Sequence, residues 1–461
     1  MEANDLLTLG LGLTAPWRVV DQSLDLSKQP SELRLEVEAA RGERYPCPAC
    51  GALCKAHDFA EFSWRHLNFF QHHCLIKARV PRVRCPEHGL KRVNVPWARP
   101  GSGFTLLFEQ AVMLLAREMP VNAVARYVGV TDKRIWRVVT HYVLKAMGKL
   151  DLSRLCGIGL DETATKRGHH YVTIFVDMDR ESRPVVFATP GKGKECLKIF
   201  AAYLKGRQGN PENVVEVVCD MSPAFLSAAE ATFRNAAVTV DWFHVVQIFT
   251  KALDEVRRLE AREVILPKAA RWAVLKGLET WRSEEQVAAL KELEERGLAT
   301  ATAFRVKELL RWVRKADTRQ GARWRATRFF EFARELAGDS VLLAPVRKAL
   351  NTFEDHLPRI LRRWDSLLSN ARLEGLNGLF QAARSRARGY RNVTTFITMI
   401  YLIGAPITQL LEASERSRSA CMRGSATMTM VPSILTRLSI MRMALTAAPS
   451  AVFLSPRPSH L

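Results

Sequence analysis

The sequence predicts a multidomain α/β protein: a mixed β-sheet flanked by helices, interrupted by an all-helical segment and preceded by two small modules. Three observations carry this expectation. Two Cys-containing knuckles lie before residue 95, a helical period broken by a glycine follows over 105–150, and from residue 155 short β-branched runs give way to alternating strands and helices. A chain of 461 residues has room for two or three domains with their own cores. Its 48% hydrophobic content excludes global disorder. A formal charge of +21 suits a polyanionic partner, most simply nucleic acid. Residues 394–413, TTFITMIYLIGAPITQLLEA, come nearest to a membrane span, but Thr, Gln, Gly and Pro interrupt them and a buried helix is expected. The start MEANDLLTLG has no basic n-region, and nine scattered cysteines fit a reducing cytoplasm better than a disulfide framework.

Residues 1–95 read as a zinc-binding domain. Cys47-Pro-Ala-Cys50-Gly51 and Cys85-Pro-Glu-His88-Gly89 each place two ligands around a tight turn, so together they predict a Cys₃His site for structural Zn²⁺. LIKARVPRVR between them alternates like a strand, which allows a hairpin. Cys54, His57, His72, His73 and Cys74 are rival ligands.

VPWARPGSGFT (95–105) reads as a linker, and residues 105–150 as a helix-turn-helix domain. Its helical segments are Leu106 to Met119, Val121 to Tyr127 and Asp132 to Met147. Ala125 is small where two helices would touch, Gly129 suits the left-handed turn, and Ile135 would seat the third helix. Thr131 is its expected N-cap; Lys133, Arg134 and Arg137 would then face DNA.

Residues 151–261 carry the sheet. LCGIGLD and YVTIFVD, joined by a polar Gly-containing link, predict a hairpin, and RPVVFAT (183–189) a third strand. A helix over 194–205, a strand NVVEVVCD (213–220), a helix over 223–235, a strand-like AVTVDWFHVV (237–246) and a helix to about Ala261 follow. The order βββαβαβα is that of an RNase H-like core, with the fourth strand beside the first, so Asp161 and Asp220 would converge. Residues 262–370 show no strand pattern and read as a helical insertion. Its recurrent Trp272, Trp281, Trp312, Trp324 and Trp364 are expected as core anchors.

Residues 371–403 read as the final part of the core. In LLSNARLEGLNGLFQAARSRARGYRN (367–392), Glu374, Asn377, Gln381, Arg384 and Arg388 recur three or four apart and would share one helix face. Leu373, Leu376, Leu379, Phe380 and Ala383 would form the other. Such a face would lend one carboxylate to a metal site and its arginines to a DNA backbone. From 404 to 461 no period is sustained, and a poorly ordered tail is expected. Asp161, Asp220 and Glu374 are the candidate catalytic acids, hard oxygen ligands suited to Mg²⁺ or Mn²⁺.

These motifs together resemble the DDE transposases of the ISL3 group of bacterial insertion sequences over roughly residues 40–403. The resemblance rests on the knuckles, GIGLDETATKRGHHYVTIFVD, VVCDMSPAF, TVDWFHVVQ, LDEVRR, and SNARLEGLN with RARGYRN. It implies an RNase H-like catalytic core with a helical insertion, behind a zinc ribbon and a helix-turn-helix that recognise element ends. It also implies a homo-oligomeric complex on double-stranded DNA, in which cut 3′ ends attack target DNA. Carried over, Asp161, Asp220 and Glu374 match the three acids. Asp241-Trp-Phe-His244 looks like a D-x-x-H element, which gives His244 a DNA-contacting or leaving-group role. His88 stands where the family pattern has Cys. The competing expectation is a non-catalytic, transposase-derived DNA-binding protein, for which the three acids would have no use.

Overall fold

The computed structural model describes residues 2–412 apart from 41, 278 and 367. They divide into two units, one built from the chain up to Ala146 together with residues 407–412, and the other from Met147 to Pro406.

In the first unit a short helix α1 (Ala3–Gly10) precedes six strands: β1 (Trp17–Asp25), β2 (Glu32–Ala39), β3 (Arg44–Pro46), β4 (Leu53–Arg65), β5 (His73–Cys85) and β6 (Gly89–Arg92). The sheet order is β1-β2-β5-β4-β3, with β6 paired to β5. The sequence reading found the long β5 and missed β1 and β2. Trp17, Trp64 and Trp97 meet edge to face in its core, an arrangement that buries large apolar area with favourable ring geometry. Then come α2 (Leu106–Glu118), α3 (Val121–Val128) and α4 (Asp132–Met147). Gly129 ends α3 at φ 70°, its N–H donating to the Ala125 carbonyl. A Cβ there would also lie 2.9 Å from the His73 ring, so glycine is required twice over. Ala125 and Ile135 are buried between the helices.

The second unit holds a five-stranded mixed sheet. β7 (Gly157–Lys166), β8 (His170–Asp177) and β9 (Val185–Pro190) form an antiparallel meander. β10 (Glu216–Cys219) lies parallel beside β7, and β11 (Ala237–Val240) parallel beside β10. The fourth strand does sit against the first. Alternation along β8 splits the core between two faces. Val172, Ile174 and Val176 pack beneath α14 (Ala371–Arg386) and α15 (Val393–Gly404). Phe175 turns the other way and stacks on Phe200 of α5 (Lys194–Lys205) at 4.3 Å. α6 (Pro223–Thr232) and α7 (Trp242–Glu260) complete the alternation.

Four expectations are corrected. AVTVDWFHVV is not strand to residue 246. β11 stops at Val240, because the Asp241 side chain accepts from the Phe243 N–H and starts α7 at Trp242. Residues 262–370 are helical: α8 (Ala270–Leu275), α9 (Glu284–Glu295), α10 (Ala299–Arg314), α11 (Arg319–Ala337), α12 (Ala344–Leu361) and the short α13 (Arg363–Ser366). Most of their tryptophans, however, are not core anchors. Trp272, Trp281, Trp312 and Trp324 are 58%, 79%, 38% and 57% exposed, because Ala and Phe take the inward phase of these helices. Only Trp364 packs inward, donating to the Ala316 carbonyl and meeting Trp242 edge to face. Third, Arg388 does not share the Glu374 face: α14 ends at Arg386, and Arg388 lies beyond it at φ 56°. Fourth, Leu379 on α14 is 51% exposed while Leu373, Leu376, Phe380 and Ala383 are buried. Of the tail expected from residue 404, residues up to 412 are described, with 407–412 helical; the remainder lies outside the described residues. No helix among the described residues is long and apolar enough to cross a membrane.

Candidate functional site

The two knuckles meet at one point of the first unit. Ligand atoms of Cys47, Cys50, Cys85 and His88 all lie within 4.8 Å of one another. The Cys50 and Cys85 sulfurs are 3.6 Å apart, and the Cys85 sulfur is 3.6 Å from His88 Nδ1. Tetrahedral Zn²⁺ with its usual bond lengths demands separations of about 3.5–3.8 Å, so these four residues fit structural zinc. Gly51 (φ 78°) and Gly89 (φ 67°) make the turns that aim them. Backbone N–H groups of Cys50 and Ala49 hold the Cys47 thiol below its ordinary pKa, which favours the thiolate a metal needs. Two of the rival ligands are otherwise engaged: His72 pairs with Ser31, and burial pushes the Cys74 thiol up to about 11.

On α4, Lys133, Arg134 and Arg137 are all exposed. Arg134 bends back over the Phe104 ring, 4.1 Å from its centre, which orients the guanidinium rather than leaving it free.

In the second unit the acids gather where β7, β10, β11, α7 and α14 meet. Asp161 lies on β7; its Oδ1 accepts from the Glu162 N–H at 2.8 Å and its Oδ2 from Asn377 Nδ2 at 2.8 Å. Burial raises the Asp161 pKa, the nearby His244 lowers it, and the charge of Asp220 raises it again. His244 Nε2 is 4.0 Å from Asp161 Oδ1. Asp220 follows β10, with Oδ1 accepting from the Ser222 N–H at 2.9 Å. Glu374, in the first turn of α14, has its carboxyl pushed up to about 8 by burial, by a hydrogen bond to Asp241, and by the charges of Asp241 and Asp161. Ligand atoms of Asp241, His244 and Glu374 also lie within 4.8 Å of one another.

α14 is held there by its N-cap, Asn370, which is fully buried. Asn370 Nδ2 donates to the Leu160 carbonyl at 3.0 Å and to the Val218 carbonyl at 3.3 Å, and its N–H to Asp241 Oδ1 at 3.0 Å. One side chain thus ties β7, β10 and the α7 cap to the helix that carries Glu374. Gly159 makes room for it, since a Cβ there would lie 2.6 Å from Asn370 Oδ1. The rest of the polar face of α14 is turned onto β7: Gln381 donates to Thr163 Oγ1 and the Ala164 carbonyl, and Arg384 to the same carbonyl at 3.0 Å.

The site fits a hard divalent cation on its own chemistry. Glu374 Oε1, Asn377 Oδ1 and His244 Nδ1 are buried without a hydrogen-bond partner among the described residues, and the surrounding carboxylates repel one another. Asp220 lies near enough to raise the Asp161 carboxyl by its charge, and Asp161 near enough to do the same to Glu374. Asp241, like Asp161, has both oxygens engaged, here by the Phe243 and Asn370 N–H groups that cap α7 and α14. Sequence reasoning did not assign Glu162, pushed up to about 7 by burial and the charge of Asp220, nor Asn370 and Asn377. Their signal was proximity to assigned acids: Glu162 follows Asp161, and Asn377 lies three residues after Glu374.

Three family models match the chain in order. Residues 43–88 match one described as the zinc-finger of transposase IS204/IS1001/IS1096/IS1165. Residues 93–143 match the helix-turn-helix domain of transposase family ISL3, and residues 158–400 the ISL3 DDE domain, described as transposase. The chain is also similar to the transposase for insertion sequence element IS1557 of Mycobacterium tuberculosis, in strains CDC 1551 / Oshkosh and ATCC 25618 / H37Rv. Identity is 31% over 215 residues, 46% of this chain and 48% of the relative. The matched stretch therefore spans about half the length of those relatives. Similarity to the transposase for IS1001 of Bordetella parapertussis extends over 368 residues at 25% identity, covering 77% of this chain and 87% of that one.

Proposed function

The chain belongs to the ISL3 family of transposases, and from that premise we propose that it binds the ends of an insertion sequence and catalyses metal-dependent cleavage and strand transfer there. The observation that supports this reading is the chain of charge from Asp220 to Asp161 and from Asp161 to Glu374, which a divalent cation would neutralise. We assign the catalytic core an RNase H-like fold formed by residues 151–261 and 371–403, with 262–370 inserted. The βββαβαβ order and the β10–β7 pairing support that assignment.

Asp161, Asp220 and Glu374 would hold Mg²⁺ or Mn²⁺, which when bound supplies Lewis-acid polarisation and charge neutralisation at a phosphodiester. Asn377 donates to Asp161 Oδ2, while Oδ1 accepts from the Glu162 N–H and lies 4.0 Å from His244 Nε2. Asp241 and Asn370 hold the helix that presents Glu374. His244, 14% exposed beside Asp161, is positioned to meet DNA or the oxygen that leaves. Zinc would order the first module, and Lys133, Arg134 and Arg137 would contact duplex DNA, with Arg384 and Arg388 toward the backbone near the catalytic site. The working species is a homo-oligomer on DNA in the bacterial cytoplasm.

The test is a duplex carrying the element end, incubated with and without Mg²⁺. The wild type should nick it only with metal, and Asp161→Ala should bind it with near wild-type affinity yet leave it intact, since metal ligands stabilise the transition state far more than the bound duplex. Cleavage by Asp161→Ala, or by the wild type without any divalent metal, would overturn the proposal. The non-catalytic alternative predicts no cleavage by either.

A further inference from the structure

We propose that the α10–α11 hairpin of the helical insertion is a binding surface for unpaired DNA bases, built on Trp312 and Trp324 and ringed by cations. Trp312 is in the last turn of α10 and Trp324 in the second turn of α11. Their ring centres are 5.7 Å apart and their planes cross at 67°. They stay exposed, at 38% and 57%, on helices whose inward positions are filled by Ala322, Ala326, Phe329 and Leu310. Arg325 fixes the pair: its Nη1 donates to the Trp312 carbonyl at 3.0 Å, and its guanidinium lies over the Trp312 ring. Trp312 also lines two open grooves, of ≈ 420 and ≈ 490 Å³, and the exposed Phe332 lines the first of them.

The charge around these rings identifies the occupant. Between residues 305 and 328 stand nine basic residues, at 305, 307, 311, 314, 315, 319, 323, 325 and 328, against two acids, Glu308 and Asp317, and the grooves themselves are also lined by Glu279, Glu294, Glu331 and Glu335. Arg305, Arg314, Lys315 and Arg323 are exposed and have no carboxylate within ion-pair distance among the described residues. Paired, well-held aromatic rings on helices that carry the unpaired cations Arg305, Arg314, Lys315 and Arg323 suit a strand whose bases stack while its phosphates meet Lys and Arg. Duplex DNA keeps its bases stacked on each other and has no use for the rings. The inference rests on the proposed function only in taking the polyanion to be DNA.

The experiment uses the full-length protein and a fluorescein-labelled oligo(dT) of about 20 nucleotides, read by anisotropy. Trp312→Ala/Trp324→Ala should weaken its binding at least about fivefold, Trp324→Phe should keep most of it, and an abasic strand of equal length should bind as weakly as oligo(dT) binds the double variant. Binding to the element-end duplex should be unchanged, and the melting temperature should fall by no more than a few degrees, because Trp324 is mostly exposed and Trp312 partly so. Equal affinity of wild type and double variant for oligo(dT), or of wild type for oligo(dT) and the abasic strand, overturns the proposal. A smaller oligomer by light scattering for the double variant, with oligo(dT) affinity intact, would overturn it by making this surface a contact between copies. Failure of the cleavage reading is separable, since oligo(dT) binding needs neither metal nor Asp161.

Discussion

Replacing Glu374 by Gln should stabilise the metal-free protein at pH 8 while abolishing its chemistry. Folding raises this carboxyl from an ordinary 4.5 to about 8, first through burial and then through Asp241 and Asp161. A carboxyl whose folded pKa lies above its unfolded one is taken up with its proton on folding. Stability from this group is therefore greatest below about pH 4.5 and declines as pH rises toward about 8. At about 1.4 kcal/mol per tenfold change in proton affinity the ceiling is roughly 5 kcal/mol, and solvent screening of a half-buried group leaves about 1–2. Gln keeps a donor for Asp241 and never ionises. In buffer dialysed free of Mg²⁺ and Mn²⁺, without chelator so that zinc is retained, calorimetry at pH 8 should place the variant's melting temperature about 3–6 °C above wild type. Near pH 5 the two should converge. Glu162 and Asp161 also titrate upward, so both proteins keep a residual slope, and the difference between them isolates Glu374. A variant that melts lower than wild type at pH 8, or a difference that does not change with pH, would refute the reasoning.

Asn370→Ala removes two donors from buried carbonyls of β7 and β10; it should cost about 2–3 kcal/mol, read as a loss of about 4–12 °C by calorimetry, and an unchanged melting point would show that α14 is held elsewhere. In the first unit, Cys85→Ser should lose the single zinc per chain by elemental analysis and with it most of the module's order, whereas His88→Cys should keep the metal because thiolate replaces imidazole at the same corner. Zinc retained in Cys85→Ser would remove that residue from the site.

How far the sequence exposed this arrangement depended on the range of the interactions. β7, β8 and β10 were legible because β-branched and aromatic runs such as Tyr171–Val176 fit a central strand buried on both faces and little else. β11 was overextended to residue 246 because Val245 and Val246 mimic strand composition, although Asp241 followed by a 3.6-residue period announced a helix. The tryptophans were misassigned by residue type where phase decided: Ala322, Ala326, Phe329 and Ala333 define the buried stripe of α11, and Trp324 falls off it. Arg388 was placed on the Glu374 face by continuing a period past the end of α14. Asn370 could be seen only as a capping-type residue. Its bonds reach Leu160 and Val218 across 210 and 152 residues, and no local pattern encodes such contacts.

The most direct test of the catalytic assignment compares Asp220→Asn with Asp241→Asn in Mg²⁺-dependent cleavage of pre-formed element-end complexes. Asp241 lies among ligand-capable groups with His244 and Glu374, yet its oxygens already accept from Phe243 and Asn370. Asn retains an acceptor for one of those bonds, so Asp241→Asn should lower activity only partly, together with some thermal stability. Asp220 lies close enough for its charge to raise the Asp161 carboxyl, and Asp220→Asn should abolish cleavage while duplex binding stays within about twofold of wild type. Abolished cleavage in Asp241→Asn beside preserved cleavage in Asp220→Asn would contradict the account.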